Sequence, residues 1–516
     1  MKLRKFFAAS PGHDVMNAMT MGTIISLVIK GAIVGAIAGF FAATFRYLIQ
    51  WGEEFRKAYM AHTDPVSVAM WLGLMVILGY ACYRLLKWAP LSGGSGIPQI
   101  EGEMMGIFDM QPYRTFISKY FGGVFNGLCG FSVGREGPSV QLGGAIGKIV
   151  SYFFRSSLRE QRILTSAGAA AGLTAAFSAP VSGAIFVFEE VHKSFYPVLV
   201  IPTFTAALMS NFVTSFLFGL QPSLGFTVWV GMPITYFSYL LLVGVVTGFL
   251  GVIFNRSILL FKDLFGRVKL SGALKMIITF LVVTAIGYDS QVLLGGGNSL
   301  VGELADMPYS VWILAGIVVG KLLLTSFCFG SGIQGGIFLP MLVIGAGAGA
   351  FVHAALQQAS IVGNDYLGNF VICAMAGMLA AAMRTPLLSI LLVLEMTNSF
   401  HSIYAVGLVA ITSYLIAGLC KEPSIYDSLL ELMAGSPDDT EAEQTFFEAK
   451  IPVISQITGV PIRELTLPRD TIIVSICRHG LHLVPLSDTV LESGDELYVS
   501  CRRGTLKEAK EYFMAS

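Results

Sequence analysis

Ten long apolar stretches decide most of what this chain can fold into. They fall near 21–50, 67–87, 114–130, 164–177, 198–219, 234–261, 273–290, 310–328, 366–383 and 402–420. Several reach the roughly 20 residues a helix needs to cross a bilayer. Between them lie shorter apolar pieces interrupted by Gly and Pro, at 96–107, 137–153, 180–192, 337–356 and 386–399. As soluble core helices these would need a large polar domain around them, and the composition denies it. The 516 residues are 54% hydrophobic and 13% charged, with a mean hydropathy of +0.70, whereas a soluble domain carries about 25% charged residues. The expected fold class is an all-α polytopic membrane protein with broken helices, whose buried ends need protein or ligand partners. Zero net charge and a pI near 7 give no basis for nucleic-acid binding.

The chain also repeats itself. Ser178-Ala-Pro-Val-Ser-Gly-Ala-Ile-Phe-Val-Phe-Glu189 aligns with Arg384-Thr-Pro-Leu-Leu-Ser-Ile-Leu-Leu-Val-Leu-Glu395, so Pro386 and Glu395 follow Pro180 and Glu189 by 206 residues. Pro340, Gly345 and Gly349 follow Pro138, Gly143 and Gly147 by 202. Two homologous halves are expected, about 21–220 and 230–435, joined near Gln221-Pro222. Interrupted segments at matching places in two halves point to a binding site at their interface.

Both ends differ from this pattern. Lys2, Arg4 and Lys5 precede the first span without an apolar core directly behind them. Residues 1–20 therefore read as a cytoplasmic segment rather than a cleaved signal. Near the other end, 436–448 reads as a polar, acidic linker. Beyond it, Ile451–Ile457, Thr471–Cys477, Leu481–Pro485 and Glu496–Cys501 are short β-rich runs, with a short helix after Pro461 and a terminal helix from Thr505. Residues 449–516 form a small α+β module, too small for much independent stability and so expected to be paired or docked. Seven scattered cysteines without a CxxC pair support neither a disulfide framework nor a metal site. Of the seven histidines only His479 and His482 lie close together, in that module.

Four pieces carry chemistry. Gly93-Gly-Ser-Gly-Ile-Pro98 offers the Ser95 hydroxyl at a helix N-terminus, although Ser is also an ordinary N-cap residue. Gly134-Arg-Glu-Gly-Pro138 places Glu136 where free N–H groups and a positive dipole end would face an anion. Gly330-Ser-Gly-Ile-Gln-Gly-Gly-Ile-Phe-Leu-Pro340 offers successive N–H groups at 336–338. Tyr426 is an isolated aromatic hydroxyl after Pro423, a type also common at membrane interfaces. Glu189-Glu190 ends the apolar run Val181–Phe188, and ionisable groups at that depth are functional candidates.

In this order, Gly94-Ser-Gly-Ile-Pro98, Gly134-Arg-Glu-Gly-Pro138, Gly335-Gly-Ile-Phe-Leu-Pro340 and Tyr426 resemble the CLC family of chloride channels and proton-coupled chloride transporters, over about residues 20–435. The resemblance implies a homodimer in membrane lipid, each subunit having two inverted, interlocked halves and its own pore. It implies a central chloride held by the Ser95 hydroxyl, the N–H groups of Ile337 and Phe338, and the Tyr426 hydroxyl. An external anion site would use the backbone of Arg135, Glu136 and Gly137. Glu136 takes the position of the external gating and proton-carrying glutamate, and Glu190 that of the internal proton-transfer glutamate of exchangers. The implied function is Cl⁻/H⁺ antiport in a bacterial cell membrane, the alternative being a passive voltage- or pH-gated chloride channel of the same fold. Neither reading involves an enzyme, cofactor or metal. Glu101 and Glu395 are expected to serve structure, through internal ion pairs or helix-end contacts. Gln99 in place of a common Glu, Ser178 in place of a common Asn, and His192-Lys193 after the glutamate pair depart from the family pattern.

The tail, with Gly459-Val-Pro-Ile-Arg-Glu-Leu-Thr-Leu-Pro468 and Leu491-Glu-Ser-Gly-Asp-Glu-Leu-Tyr498, resembles the TrkA-C-type regulatory domain. That resemblance implies pairing and, as in some members, a small nucleotide ligand such as cyclic di-AMP at the dimer interface.

Overall fold

The computed structural model describes residues 21–219, 224, 226, 228, 231–434, 444–452, 455, 457–478 and 481–514. Residues 1–20, the junction Gln221-Pro222, the acidic stretch 435–443 and His479 lie outside the described residues.

Eight helices make the first half: α1 (Met21–Met60), α2 (Pro65–Trp88), α3 (Ile97–Met104), α4 (Pro112–Cys129), α5 (Glu136–Phe153), α6 (Leu158–Phe177), α7 (Pro180–Phe186, continued by a π-type turn Val187–Val191) and α8 (Pro197–Phe218). Eight follow in the second: α9 (Phe237–Arg267), α10 (Gly272–Asp289), α11 (Asn298–Asp306), α12 (Val311–Gly330), α13 (Phe338–Gln358), α14 (Leu367–Met383), α15 (Pro386–Thr397) and α16 (Ile403–Leu419). Helix α17 (Ile425–Ala434) then leads toward the tail. Among the described residues nine helices are long and apolar enough to cross a membrane. Two differences from the sequence reading stand out. The piece at 337–356 is one of those nine, a full 21-residue helix, but it begins in the protein interior. The short helix α11 had not been expected, because its polar first turn, Asn298-Ser, hides it in a Gly-rich stretch.

The repeat is visible as repeated contacts. Glu189, at the end of the α7 segment, accepts hydrogen bonds from the N–H groups of Leu387 (3.1 Å) and Leu388 (2.5 Å) at the start of α15. Glu395, at the end of α15, accepts from Val181 (3.0 Å) and Ser182 (2.8 Å) at the start of α7. Each helix caps the other's orphan N–H groups with a carboxylate, and this reciprocity requires the two to run antiparallel. Residues Ser178 and Arg384, before the two prolines, both adopt left-handed backbone, with φ of 54° and 64°.

A second pair had gone unnoticed in the sequence. Lys119 on α4 donates to the carbonyls of Ser92 (2.9 Å) and Gly94 (2.7 Å), just before α3. Lys321 on α12 donates to those of Leu293 (3.0 Å) and Gly295 (2.6 Å), just before α11. Both ammonium groups are buried, and each fastens two carbonyls of the Gly-rich loop that precedes a short helix. Close packing follows the same repeat. Gly143 and Gly147 of α5 face backbone carbonyls of α6, as Gly345 and Gly349 of α13 face those of α14. Small residues let these backbones touch where lipid supplies no hydrophobic drive to associate.

The tail is a four-stranded antiparallel sheet in the order β1-β4-β2-β3. Its strands are β1 (Gln444–Lys450), β2 (Ile472–Arg478), β3 (Leu481–Leu483) and β4 (Glu496–Arg502), and α18 (Leu506–Met514) packs on one face. Strand β1 begins inside the stretch read as linker, while 451–457 forms no strand among its described residues. The alternation Phe447–Ala449, buried against Leu497, Val499 and Cys501, explains the shift, because these residues fill the sheet's core face. The segment after Pro461 is only a single 3₁₀ turn. The tail is docked: Ile107 of the membrane domain packs against its core, and Lys507 of α18 pairs with Glu431 of α17 at 2.6 Å.

Candidate functional site

Three loops meet in the interior. The Gly94 N–H donates to the Ile333 carbonyl (2.8 Å) and the Gly335 N–H to the Gly94 carbonyl (3.1 Å). Gly134 and Gly336 exchange hydrogen bonds of 2.7 and 2.8 Å. These links register the starts of α3, α5 and α13 against one another. In α5 the first helical bond runs from Ser139 to Arg135, and in α13 from Met341 to Ile337. The N–H groups before each have no helical acceptor, so two positive helix ends converge. A carboxylate or a halide is the natural occupant of such a place.

Glu136 opens α5 and is fully buried. Its carboxylate has no side-chain hydrogen-bond partner and faces its own N–H and that of Leu339 at the head of α13, and the nearest cation, the Arg135 guanidinium, is 4.0 Å away. Ser95 is buried with its Oγ unpartnered, and the N-cap of α3 is Gly96, so Ser95 is not an ordinary cap here. Tyr426, in the first turn of α17, is wholly buried rather than interfacial, and its hydroxyl faces that of Ser95. Phe338 and Ile337 are buried at the head of α13, with the Phe338 ring 5.3 Å from that of Phe177. An unsatisfied buried polar atom costs about 1–3 kcal/mol, so orphan groups of this kind concentrate where a ligand completes them. The Ser95 and Tyr426 hydroxyls and the N–H groups at 337–338 are all donors without full charge, suited to an anion that must also leave.

Glycine keeps these groups close. Gly96 has a φ of 105°, a region costly for residues with a Cβ. A Cβ on Gly137 would fall 2.7 Å from the Ser95 carbonyl oxygen and closer still to its Oγ.

Glu190 is the second buried carboxylate, with one oxygen unpartnered. It lines a cavity of about 290 Å³ with Glu189, Lys193, Ser424 and Asp427, roomy and polar enough for several waters. The charged groups around Glu190 are Glu101, Lys193, Asp427 and Glu189, and Lys510 of the tail lies near Glu101. Glu101 pairs with Lys193 at 2.8 Å, and Glu395 makes the helix-end contact described above, as expected for structural carboxylates. The departures also find their roles. The Gln99 amide donates to the Gly93 carbonyl (2.5 Å), a bond that an ionised Glu could not give. His192 shares a hydrogen bond with Ser166 (2.8 Å). Lys119 is the group that sequence reasoning missed; a lysine inside an apolar span was the available signal.

The voltage-gated chloride channel family model matches residues 77–418, most of the helical region. The chain belongs to that family. The TrkA-C domain model matches residues 446–514. Among relatives of this CLC chain, the H⁺/Cl⁻ exchange transporter ClcA of Vibrio parahaemolyticus is 34% identical over 83% of this chain and 94% of its own length. That of Citrobacter koseri is 32% identical over 82% and 92%. A slow cyanobacterial Cl⁻/H⁺ antiporter superposes with a TM-score of 0.74 at 27% identity, covering 79% of this chain and 98% of its own. A CLC-type fluoride/proton antiporter shares the fold, with a TM-score of 0.66 at 22% identity over 79% and 98% of the two chains.

Two outcomes are expected from this geometry. Gly137→Ala should raise the apparent KM for chloride by about tenfold, because overpacking of about 1–3 kcal/mol falls on the Ser95 donor. Concentration-dependent flux in liposomes measures it. In the tail, burial pushes Lys510 down to about 8; nearby Glu101 opposes this and Lys193 adds to it. The folded tail therefore binds fewer protons than the unfolded chain between about pH 8 and the ordinary lysine value, so this group's contribution makes stability rise with pH across that window. Lys510→Met should remove that rise, read as the pH-dependent difference between the two proteins in denaturant unfolding.

Proposed function

We propose that this protein is a secondary-active exchanger that moves chloride against protons across a bacterial cell membrane, as a homodimer with residues 1–20 and the tail in the cytoplasm. The observation that carries the reading is the coexistence of two separate, buried carboxylates. Glu136 stands among anion donors, and Glu190 lines a separate cavity whose lining does not include them. A chloride would be held by the Ser95 and Tyr426 hydroxyls and the N–H groups of Ile337 and Phe338. Arg135, Glu136 and Gly137 would supply the outer backbone donors. The Glu136 carboxylate competes with chloride for the same helix ends. Protonation removes its claim on those donors, so anion and proton occupancy become linked. Glu190 would relay protons between this cavity and Glu136. A passive channel has no use for a second buried acid, whose charge is costly at that depth. The relatives named as H⁺/Cl⁻ exchangers and the antiporter neighbour agree with this reading.

Purified protein in proteoliposomes tests it. An imposed chloride gradient should drive protons uphill, and dissipation of the chloride gradient without proton movement would return the channel reading. For the tail we propose pairing across the dimer and control of transport by a small nucleotide of the cyclic di-AMP type. Flux that is unchanged when cyclic di-AMP is titrated into the full-length protein would remove the ligand.

A further inference from the structure

The chloride's two hydroxyl donors come from different elements: Ser95 precedes α3 and Tyr426 sits in the first turn of α17. Glu101 lies one turn into α3, and Asp427 follows Tyr426 directly. Lys193 reaches both. Its ammonium is 2.8 Å from the Glu101 carboxylate and also forms a hydrogen-bonded ion pair with Asp427. The Glu101 side chain is fully buried while that of Lys193 is 40% exposed, so one cation lining the cavity spans from the interior to the water. The charges around Glu190 are Glu101, Lys193, Asp427 and Glu189, and Lys193 is the one cation among them.

Backbone conformation adds a second observation. Lys193 has a φ of 51°, directly after the π-type turn that ends in Val191 and the His192 that follows it. That region favours glycine, and a residue with a Cβ persists there when its side chain is held by its surroundings. The turn aims the lysine back across the mouth of the cavity, toward α3 and α17.

The geometry points to Lys193 as a positioning residue for exchange: it latches the start of α3 to the start of α17, holds Ser95 and Tyr426 at the spacing a chloride needs, and gives Glu101, beside Glu190, its ion-pair partner. This rests on the exchange reading proposed above. When the latch is lost, Glu101 loses its ion-pair partner and keeps only the more distant Lys510, and a buried carboxylate so placed takes up a proton more readily. A second proton acceptor then stands next to Glu190, and the two hydroxyl donors are no longer tied. The expected consequence is a weaker internal anion site together with slippage between the two fluxes. A general packing defect would lower turnover alone.

The experiment compares Lys193→Met, Lys193→Arg and Asp427→Asn with wild type in proteoliposomes. It measures the apparent KM for chloride on the tail side, turnover, and the number of chlorides moved per proton. Wild-type coupled flux separates the two ideas, since its absence would defeat the exchange reading itself. With coupling present, Lys193→Met should raise the KM about tenfold and raise the chloride-to-proton ratio. Lys193→Arg should restore both, and Asp427→Asn should raise the KM by a smaller factor with the ratio near wild type. A Lys193→Met protein with wild-type KM and ratio overturns the latch, as does a defect that arginine fails to rescue. If Lys193→Met does not fold, an unchanged KM in Asp427→Asn overturns it equally.

Discussion

Glu136→Gln should abolish proton coupling while anion passage continues. The amide keeps the size of the carboxyl group and removes both its charge and its proton. Glu136 is buried at the head of α5 and faces the helix-end N–H groups, including that of Leu339, so its carboxylate and an anion compete for the same place. Proton flux should fall by about a hundredfold or more, the scale on which a positioned proton-transfer group acts. Chloride flux should lose its pH dependence, because the competitor for the helix-end N–H groups no longer titrates. The measurement is simultaneous recording of chloride and proton fluxes at several pH values. Normal pH-dependent exchange in this variant would remove Glu136 from the proposed role.

Glu190→Gln should separate the fluxes in a different way. Glu190 lies beside the cavity and not among the anion donors, so its loss should lower proton flux by roughly tenfold, a typical site-to-site coupling, while chloride flux changes much less. Its pH dependence should persist, since Glu136 still titrates. An unchanged chloride-to-proton ratio would return Glu190 to a purely structural place beside Glu101 and Lys193. The two substitutions thus assign the outer and inner acids independently.

Much of the site was legible in the sequence because its chemistry is written in unusual residue types. A glutamate between glycines before a proline, and glycines before Ile337 and Phe338, are hard to explain inside an apolar chain unless backbone donors must be exposed. The paired Pro180/Pro386 and Glu189/Glu395 positions were legible for the same reason, since each proline marks a helix start and each glutamate a charge where apolar residues prevail. Three things were not legible. Lys119 and Lys321 stand out only as lysines inside apolar spans, because their partners are backbone carbonyls, which any sequence supplies. Helix α11 stayed hidden because its first turn is polar and its length too short for a periodic signal. Strand β1 was displaced because the acidic residues before it resemble a linker, and only pairing with β4 shows which residues face the core.

Taken alone, the order of residues determined that the chain is a helical membrane protein of two related halves, with donors for an anion and two acids in named places. These follow from hydropathy, backbone conformation and charge, which are local properties. Only the tertiary structure decided that Glu189 and Glu395 cap each other's partner helices, that Ser95 and Tyr426 are buried as neighbours, and that Lys193 joins the elements carrying them. Contacts between segments more than a hundred residues apart depend on how helices cross, and close packing of small residues settles that crossing in three dimensions.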